Sequence, residues 1–212
     1  SSSMMNTVNI AEVTEKDLEI KLTGEKANVI KLLPHSLITE KVVREVKLEN
    51  GVFKAQNDIL KAVVVERHNK TGNIGLGLVE GFGLKNGAIA STVAHDSHNL
   101  IVIGDNDRDI LLAIKELERI GGGITIISNG ELMDTLALEI AGLMSQRTLG
   151  EVNEKLNKML EISYEKLEIS REHEPFMTLS FIALPVIPDI KLTDMGLFHV
   201  GEFNFIDLNA ED

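Results

Sequence analysis

A chain of 212 residues, 43% hydrophobic and 25% charged, is long enough to bury one core, and its aromatic content of only 4% argues against stacking on nucleic-acid bases. The formal net charge of −12 disfavours both nucleic acid and anionic membrane surfaces as partners, and no apolar run approaches the ~20 residues of a membrane span. The absence of cysteine excludes disulfides, thiolate metal sites and cysteine nucleophiles. No signal-peptide pattern is present, so a cytoplasmic location is expected.

The chain begins with a polar, weakly patterned stretch and then becomes rich in strand signals. Residues 1–26 are expected to be an N-terminal extension or the remnant of a preceding subdomain, and residues 27–212 the domain itself. Three Asn-Gly dipeptides lie between apolar runs and favour the tight turns of hairpins. The predicted pairings are Val42–Leu48 with Val52–Ala55, Leu76–Leu84 with Ala88–Val93, and Ile124–Ser128 with Leu132–Leu138. Further strands are predicted at Leu60–Glu66, Leu100–Ile103 and Phe203–Leu208.

Two helices are predicted from apolar residues at helical spacing. The first covers about Asp107–Ile120 and ends at Gly121, a favourable C-cap. The second covers about Leu149–Ser170 and begins at a capping box formed by Thr148 and Glu151. The apolar segment Phe176–Leu184 is ambiguous, and the prolines that follow it favour extended backbone. The pattern predicts an α+β fold: a largely antiparallel or mixed sheet built from hairpins, with covering helices.

A run of six glycines between Gly72 and Gly87 suggests nucleotide binding at first sight. The dinucleotide fingerprint is one residue out of step, however, and a turn rather than a helix follows it. The alternative is a strand whose missing side chains allow another segment to approach closely.

Two polar clusters follow predicted strands. His95, Asp96, Ser97, His98 and Asn99 form one cluster, in which two imidazoles and a carboxylate could bind a metal, relay a proton or hold a polar ligand. The two histidines would face opposite sides of a strand but could converge on a turn. A structural turn whose side chains satisfy backbone donors explains the same residues equally well.

The second cluster is Glu66-Arg67-His68, followed by Thr71-Gly72. Loops that follow strands often carry functional residues. A solvated ion pair or a structural histidine is the alternative interpretation.

Taken together, these stretches resemble the adenine deaminase family. The resemblance extends over about Asn28 to Leu208 and rests on several ordered motifs. They are Val65-Glu66-Arg67-His68, Thr71-Gly72-Asn73-Ile74-Gly75, Gly81-Phe82-Gly83-Leu84, His95-Asp96-Ser97-His98-Asn99, Ala141-Gly142-Leu143-Met144-Ser145, Pro175-Phe176-Met177-Thr178-Leu179-Ser180-Phe181 and Pro185-Val186-Ile187-Pro188.

The resemblance implies the C-terminal domain of an amidohydrolase that converts adenine and water to hypoxanthine and ammonia in purine salvage. In that family a metal-bearing (β/α)₈ barrel precedes this domain, and manganese or iron activates the attacking water. Such a barrel needs about 250 residues, and its H-x-H metal pair is absent from this sequence. The chain alone is therefore expected to be inactive, and the full-length enzyme is expected to form a homo-oligomer.

The resemblance points to the histidine cluster as the part that reaches the barrel's active site. His95, Asp96 and His98 are the candidate catalytic contributors, with His95 and His98 as candidate metal ligands. Arg67, His68, Ser97 and Asn99 are candidate adenine-binding residues. The rival hypothesis is a non-catalytic interface or oligomerisation domain, and a third is an independent metalloprotein, which would need further ligands beside His95 and His98.

Overall fold

An eight-stranded mixed sheet forms the centre of the structure, a computed structural model that describes residues 4–210. The strands are β1 Lys26–Leu32, β2 Thr39–Glu45, β3 Leu48–Glu49, β4 Val52–Phe53, β5 Leu60–Val65, β6 Ile74–Glu80, β7 Gly87–Ser91, β8 Leu100–Gly104, β9 Gly123–Ser128, β10 Glu131–Ala137, β11 Ile190–Thr193, β12 Gly196–His199 and β13 Asn204–Phe205. The helices are α1 Asp107–Ile120, α2 Leu149–Lys166 and α3 Pro175–Ile182, and a 3₁₀ helix covers Glu15–Leu18.

The large sheet has the order β10-β9-β7-β8-β5-β6-β1-β2. Its neighbours are antiparallel except β1 and β6, which run parallel. Two smaller sheets are formed by β11-β12-β13 and by β3-β4. The predicted α+β class is confirmed.

Both faces of the large sheet are covered. On one face α1 packs on the central strands, together with Ile10, Val13 and Leu18 from the segment before β1. On the other face lie α2, α3 and β11. Because the central strands are covered on both sides, every residue of β5, β7, β8 and β9 is buried, and these strands are mainly apolar without alternation. The expected domain boundary near residue 26 stays a prediction.

Local capping signals place the helices. Gly121 ends α1 in the left-handed region, with φ 77, as predicted. The predicted capping box of Thr148 and Glu151 begins α2. This helix ends at Lys166, short of the predicted Ser170, because Glu168 turns the chain with φ 54. The ambiguous apolar segment is helical in α3, which starts at Pro175.

Only one of the three hairpin predictions is confirmed in full, the pairing of β9 with β10. The first is reduced to the short pair β3-β4, because β2 pairs with β1 instead. The second is wrong: β6 pairs with β5 and β1, whereas β7 pairs with β8 and β9. At that position the Asp105 carboxylate accepts hydrogen bonds from the N–H groups of Asn86 and Gly87, so this Asn-Gly leads into a strand rather than forming a hairpin turn.

The glycines of β6 have a packing role. A Cβ on Gly75 would lie 1.7 Å from the carbonyl oxygen of Thr193, and one on Gly77 would lie 3.2 Å from the Leu192 side chain. The hairpin of β11 and β12 therefore crosses β6 at a distance that only glycine allows. The interpretation of close approach is confirmed. Within residues 4–210, none of the helices combines the length and apolar character that crossing a bilayer requires.

Candidate functional site

The histidine cluster lies in the connection between β7 and β8, where His95–Ser97 forms a turn. The N–H of His98 donates to the carbonyl of Ala94 at 2.5 Å, which closes this turn. The N–H of His95 donates to the carbonyl of Ser180 at 2.9 Å, which ties the turn to α3. Two central strands and a helix therefore hold the turn in place.

The two imidazoles converge on this turn. Their ring centroids lie 5.7 Å apart, and the His95 ring also lies 4.8 Å from the ring of Phe181. Asp96 and Ser97 are exposed between them, whereas Asn99 is buried at the start of β8. The arrangement places two half-buried imidazoles and an exposed carboxylate at one corner of the domain.

Arg67 and His68 reach the same turn from the end of the neighbouring strand β5. The Arg67 Nε–H donates to the carbonyl of His98, and the Arg67 backbone N–H lies 3.4 Å from the Asn99 Oδ1 acceptor. The His68 Nε2 lies 2.8 Å from the carbonyl oxygen of Ser97. The structure thus brings all seven candidate residues into one contiguous cluster.

Glu66 organises the loop that carries His68. Its carboxylate accepts hydrogen bonds from the N–H groups of His68, Asn69 and Thr71 at 2.6–3.0 Å, and from the Thr71 hydroxyl. Burial opposes ionisation, but these hydrogen bonds outweigh it and lower the pKa of Glu66. The carboxylate is therefore engaged within its own loop.

The surroundings of His98 favour its neutral form. Burial lowers the pKa of His98, and the neighbouring His95 and Arg67 act in the same direction against the opposing Asp96. The Nδ1 atom of His98 is buried and lacks a hydrogen-bond partner within the described residues. A neutral imidazole with a free ring nitrogen can accept a proton or orient a polar group.

An open groove borders the His95 side of the cluster. It has a volume of about 490 Å³ and runs between α2, α3 and the strands β9 and β10. Its lining is mainly aliphatic and aromatic, including Leu143, Leu156, Phe176 and Phe181. Met177 on its rim is half exposed. The groove thus connects an apolar surface directly to the His95 imidazole, which lies next to that of His98.

A family model for the "Adenine deaminase C-terminal domain" matches residues 36–204, most of this chain. The chain belongs to this family. The match includes β2 to β12, and with them the whole histidine cluster.

Curated relatives agree with this assignment. "Adenine deaminase" of Clostridium acetobutylicum is 51% identical over 207 residues, which are 97% of this chain and 36% of that protein. "Adenine deaminase 2" of Carboxydothermus hydrogenoformans is 50% identical over 209 residues, 98% of this chain and 36% of that protein. "Adenine deaminase" of Bacillus pumilus is 43% identical over 213 residues, which are 99% of this chain and 37% of that protein. The chain therefore spans little more than a third of the length of these relatives.

The adenine deaminase resemblance implies manganese or iron, and the histidine cluster can be tested for its fit to such an ion. Imidazole is a suitable ligand for iron, but two imidazoles fill only part of a coordination shell. Within residues 4–210, no group of three or more histidine, aspartate or glutamate side chains is placed to hold a metal ion. The described residues therefore do not fit the ion by themselves, and metal ligation by His95 and His98 stays a prediction.

Some residues of the site were missed by sequence reasoning. Ser180 and Phe181 contact His95 from 85 and 86 positions further along the chain, and the Ser180 hydroxyl also donates to the carbonyl of Val93 at 2.6 Å. They lie in an apolar stretch with no polar pattern of its own. Their place in a family motif was the only available signal, because their contact with the turn depends on how α3 packs on the sheet.

Proposed function

We propose that this chain is the C-terminal domain of an adenine deaminase and that it helps to complete the active site of that enzyme. The reaction replaces the exocyclic amino group of adenine with oxygen from water and releases ammonia, as a step of purine salvage. The observation that carries the proposal is the convergence of His95, which lines an open apolar groove, with His98, whose buried Nδ1 has no hydrogen-bond partner among the described residues.

The groove and its surroundings have the character of a covered surface. Met144 and Leu149 near the start of α2 are 56% and 85% exposed, and Met177 is 50% exposed. Exposed apolar side chains beside an apolar groove are usual where another domain packs. Since the relatives carry nearly two thirds of their length outside the matched part, we propose that a metal-bearing barrel packs here.

Each candidate residue then has a defined task. Neutral His98 is suited to transfer a proton to or from the reacting purine, and His95 and Asp96 to support it. His68 and Ser97 supply polar groups around the turn for contact with adenine, whereas Asn99 is buried and contributes indirectly. Because the Arg67 guanidinium is buried, its contribution to adenine binding is indirect.

The alternative function is an interface without a catalytic role. It is favoured by the apolar lining of the groove, which would serve packing alone. In that case the imidazoles are structural elements of the turn, and the catalytic constants do not depend on their ring nitrogens.

The test uses the full-length enzyme with His98→Asn and His95→Asn, assayed by ammonia release from adenine. His98 and His35 both have positive φ, 50 and 54, and asparagine tolerates this conformation, so His35→Asn is a matched control outside the site. We expect kcat/KM to fall about 100-fold or more for His98→Asn, as for loss of a general acid or base. The control should stay close to the wild type.

Unchanged kcat, KM and metal content in both site variants would overturn the catalytic proposal in favour of the interface. The isolated 212-residue chain should release no ammonia from adenine, with or without added manganese. Turnover by this chain alone would contradict the proposal that the barrel is needed.

The remaining expectations are part of the same proposal. We propose manganese or iron as the cofactor of the assembled enzyme, held mainly by residues outside this chain. We also propose a cytoplasmic homo-oligomer. Metal analysis of the full-length enzyme tests the proposed cofactor, and sedimentation tests the proposed homo-oligomer.

A further inference from the structure

Arg67 is an arginine buried inside the domain. Only 1% of the residue is exposed, and burial lowers the pKa of its guanidinium. No carboxylate within residues 4–210 forms a salt bridge with it. A buried charge is costly unless hydrogen bonds compensate it, so the acceptors around this guanidinium indicate what the side chain does.

The guanidinium donates to backbone acceptors in three separate segments. Nε–H donates to the carbonyl of His98, and Nη2–H donates to the carbonyl of Ala141 at 3.1 Å. Nη1 lies 3.5 Å from the carbonyl oxygen of Thr7 and 3.4 Å from its hydroxyl oxygen. These segments are the histidine turn, the loop after β10 and the chain before β1. A single side chain therefore links three stretches that are distant in sequence, two of which are also joined by the isolated bridge of Met5 with Ile140.

The loop after β10 is shaped around this side chain. A Cβ on Gly142 would lie 3.0–3.1 Å from the guanidinium atoms, and Gly142 has φ 69. The carbonyl of the same glycine accepts a hydrogen bond from the Thr92 hydroxyl at 2.6 Å, just before the histidine turn. The loop backbone thus packs directly against the Arg67 guanidinium and also accepts a hydrogen bond from Thr92, directly after β7.

The geometry points to Arg67 as the positioning residue of this site: its buried guanidinium holds the His95–His98 turn against the loop at Ala141–Gly142 and so sets the direction of the two imidazoles. The inference rests on the proposed function, because it concerns the groups that would meet the substrate. Arginine is needed because its planar fork presents five N–H donors in fixed directions. A lysine ammonium keeps the charge but cannot reach three divergent acceptors in the same way.

Two measurements on Arg67→Lys test the inference. In the isolated chain, NMR should show a nuclear Overhauser contact between the His95 and Phe181 rings in the wild type, since their centroids lie 4.8 Å apart. We expect this contact to be lost or strongly weakened in Arg67→Lys. In the full-length enzyme, we expect kcat to fall about 10- to 100-fold with a much smaller change in KM, as for misplaced reacting groups.

Arg44→Lys is the matched control. Arg44 forms a two-pronged pair with Glu80 at 2.7–2.8 Å, on the edge strand β2 at the far end of the sheet from β7. The same chemical change at this arginine should leave both the ring contact and kcat as in the wild type. The control separates the general effect of replacing a hydrogen-bonded arginine with lysine from the specific effect of replacing Arg67.

The outcomes distinguish the inference from the proposed function. A folded Arg67→Lys chain that keeps the His95–Phe181 contact overturns the positioning role, as does a wild type that lacks the contact. Loss of the contact with unchanged deamination upholds positioning and overturns the catalytic proposal. If Arg67→Lys does not fold, Gly142→Ala disturbs the same linkage from the loop side, and retention of the ring contact in that variant overturns the inference.

Discussion

Lys191 provides a sharp test of the energetics of this fold. It lies in β11, is completely buried, and its ammonium donates to the carbonyl of Leu37 at 2.8 Å. Within residues 4–210 no carboxylate forms a salt bridge with it. Burial lowers its pKa to about 8, from 10.5 for an unperturbed lysine.

The difference between these two pKa values sets the expected magnitude. At roughly 1.4 kcal/mol per pKa unit, it corresponds to about 3 kcal/mol. Below pH 8 the lysine is charged in both states, and the folded state carries the full cost of burying the charge. Between pH 8 and 10.5 the unfolded state binds more protons than the folded state, so the Lys191 contribution to stability rises with pH.

Lys191→Met removes the charge while preserving most of the side-chain volume. At pH 7 the variant should avoid the cost of about 3 kcal/mol but lose roughly 1–2 kcal/mol, because the Leu37 carbonyl no longer has its donor. We therefore expect it to be about 1–2 kcal/mol more stable than the wild type at pH 7. This advantage should shrink above pH 8 and reverse near pH 10.5.

The assay is urea unfolding of the isolated chain, followed by circular dichroism from pH 7 to 10.5. Comparison of the variant with the wild type cancels the titration of all other groups. Lys158→Met, at an exposed lysine of α2, is the control for the loss of a lysine outside the core. Parallel stability curves for Lys191→Met and the wild type would refute the reasoning, because they would mean that Lys191 has the same pKa in the folded and unfolded chain.

Two further predictions concern packing and pH. Gly75→Ala should destabilise the chain by about 1–3 kcal/mol or more, because its Cβ would overlap the Thr193 carbonyl. Gly150→Ala, in the open first turn of α2, is the control and should be neutral or slightly stabilising. The midpoints of urea unfolding measure both effects, and equal effects would contradict the close approach of β11 and β12 to β6. Because the pKa of His98 is lowered in the folded chain, the unfolded chain binds more protons than the folded chain as the pH falls through the range around 6.5. The wild type should therefore lose stability in this range. This loss should be smaller in His98→Asn, and an identical pH dependence of the two unfolding free energies would exclude the assigned perturbation.

Part of this site could be predicted from sequence, because the candidate residues lie within motifs that resemble the family. The clusters at Glu66–His68 and His95–Asn99 were separate in the sequence, and antiparallel pairing of β5 with β8 places them side by side, with Val65 opposite Leu100. The burial of Arg67 could not be foreseen, since a charged residue in a loop is usually exposed. It follows from acceptors supplied by Thr7 and Ala141, which are distant in sequence.

The amino-acid sequence by itself determined the elements whose signals are local. The cap at Gly121, the capping box at Thr148 and the turn between β9 and β10 each depend on backbone and side-chain groups a few residues apart. Tertiary structure alone decided which strands pair, where α3 lies and which side chains meet at the site. The same Asn-Gly signal makes a hairpin at Asn129 and a strand entry at Asn86, because in the second case a distant carboxylate and the neighbouring strand take up the backbone hydrogen bonds.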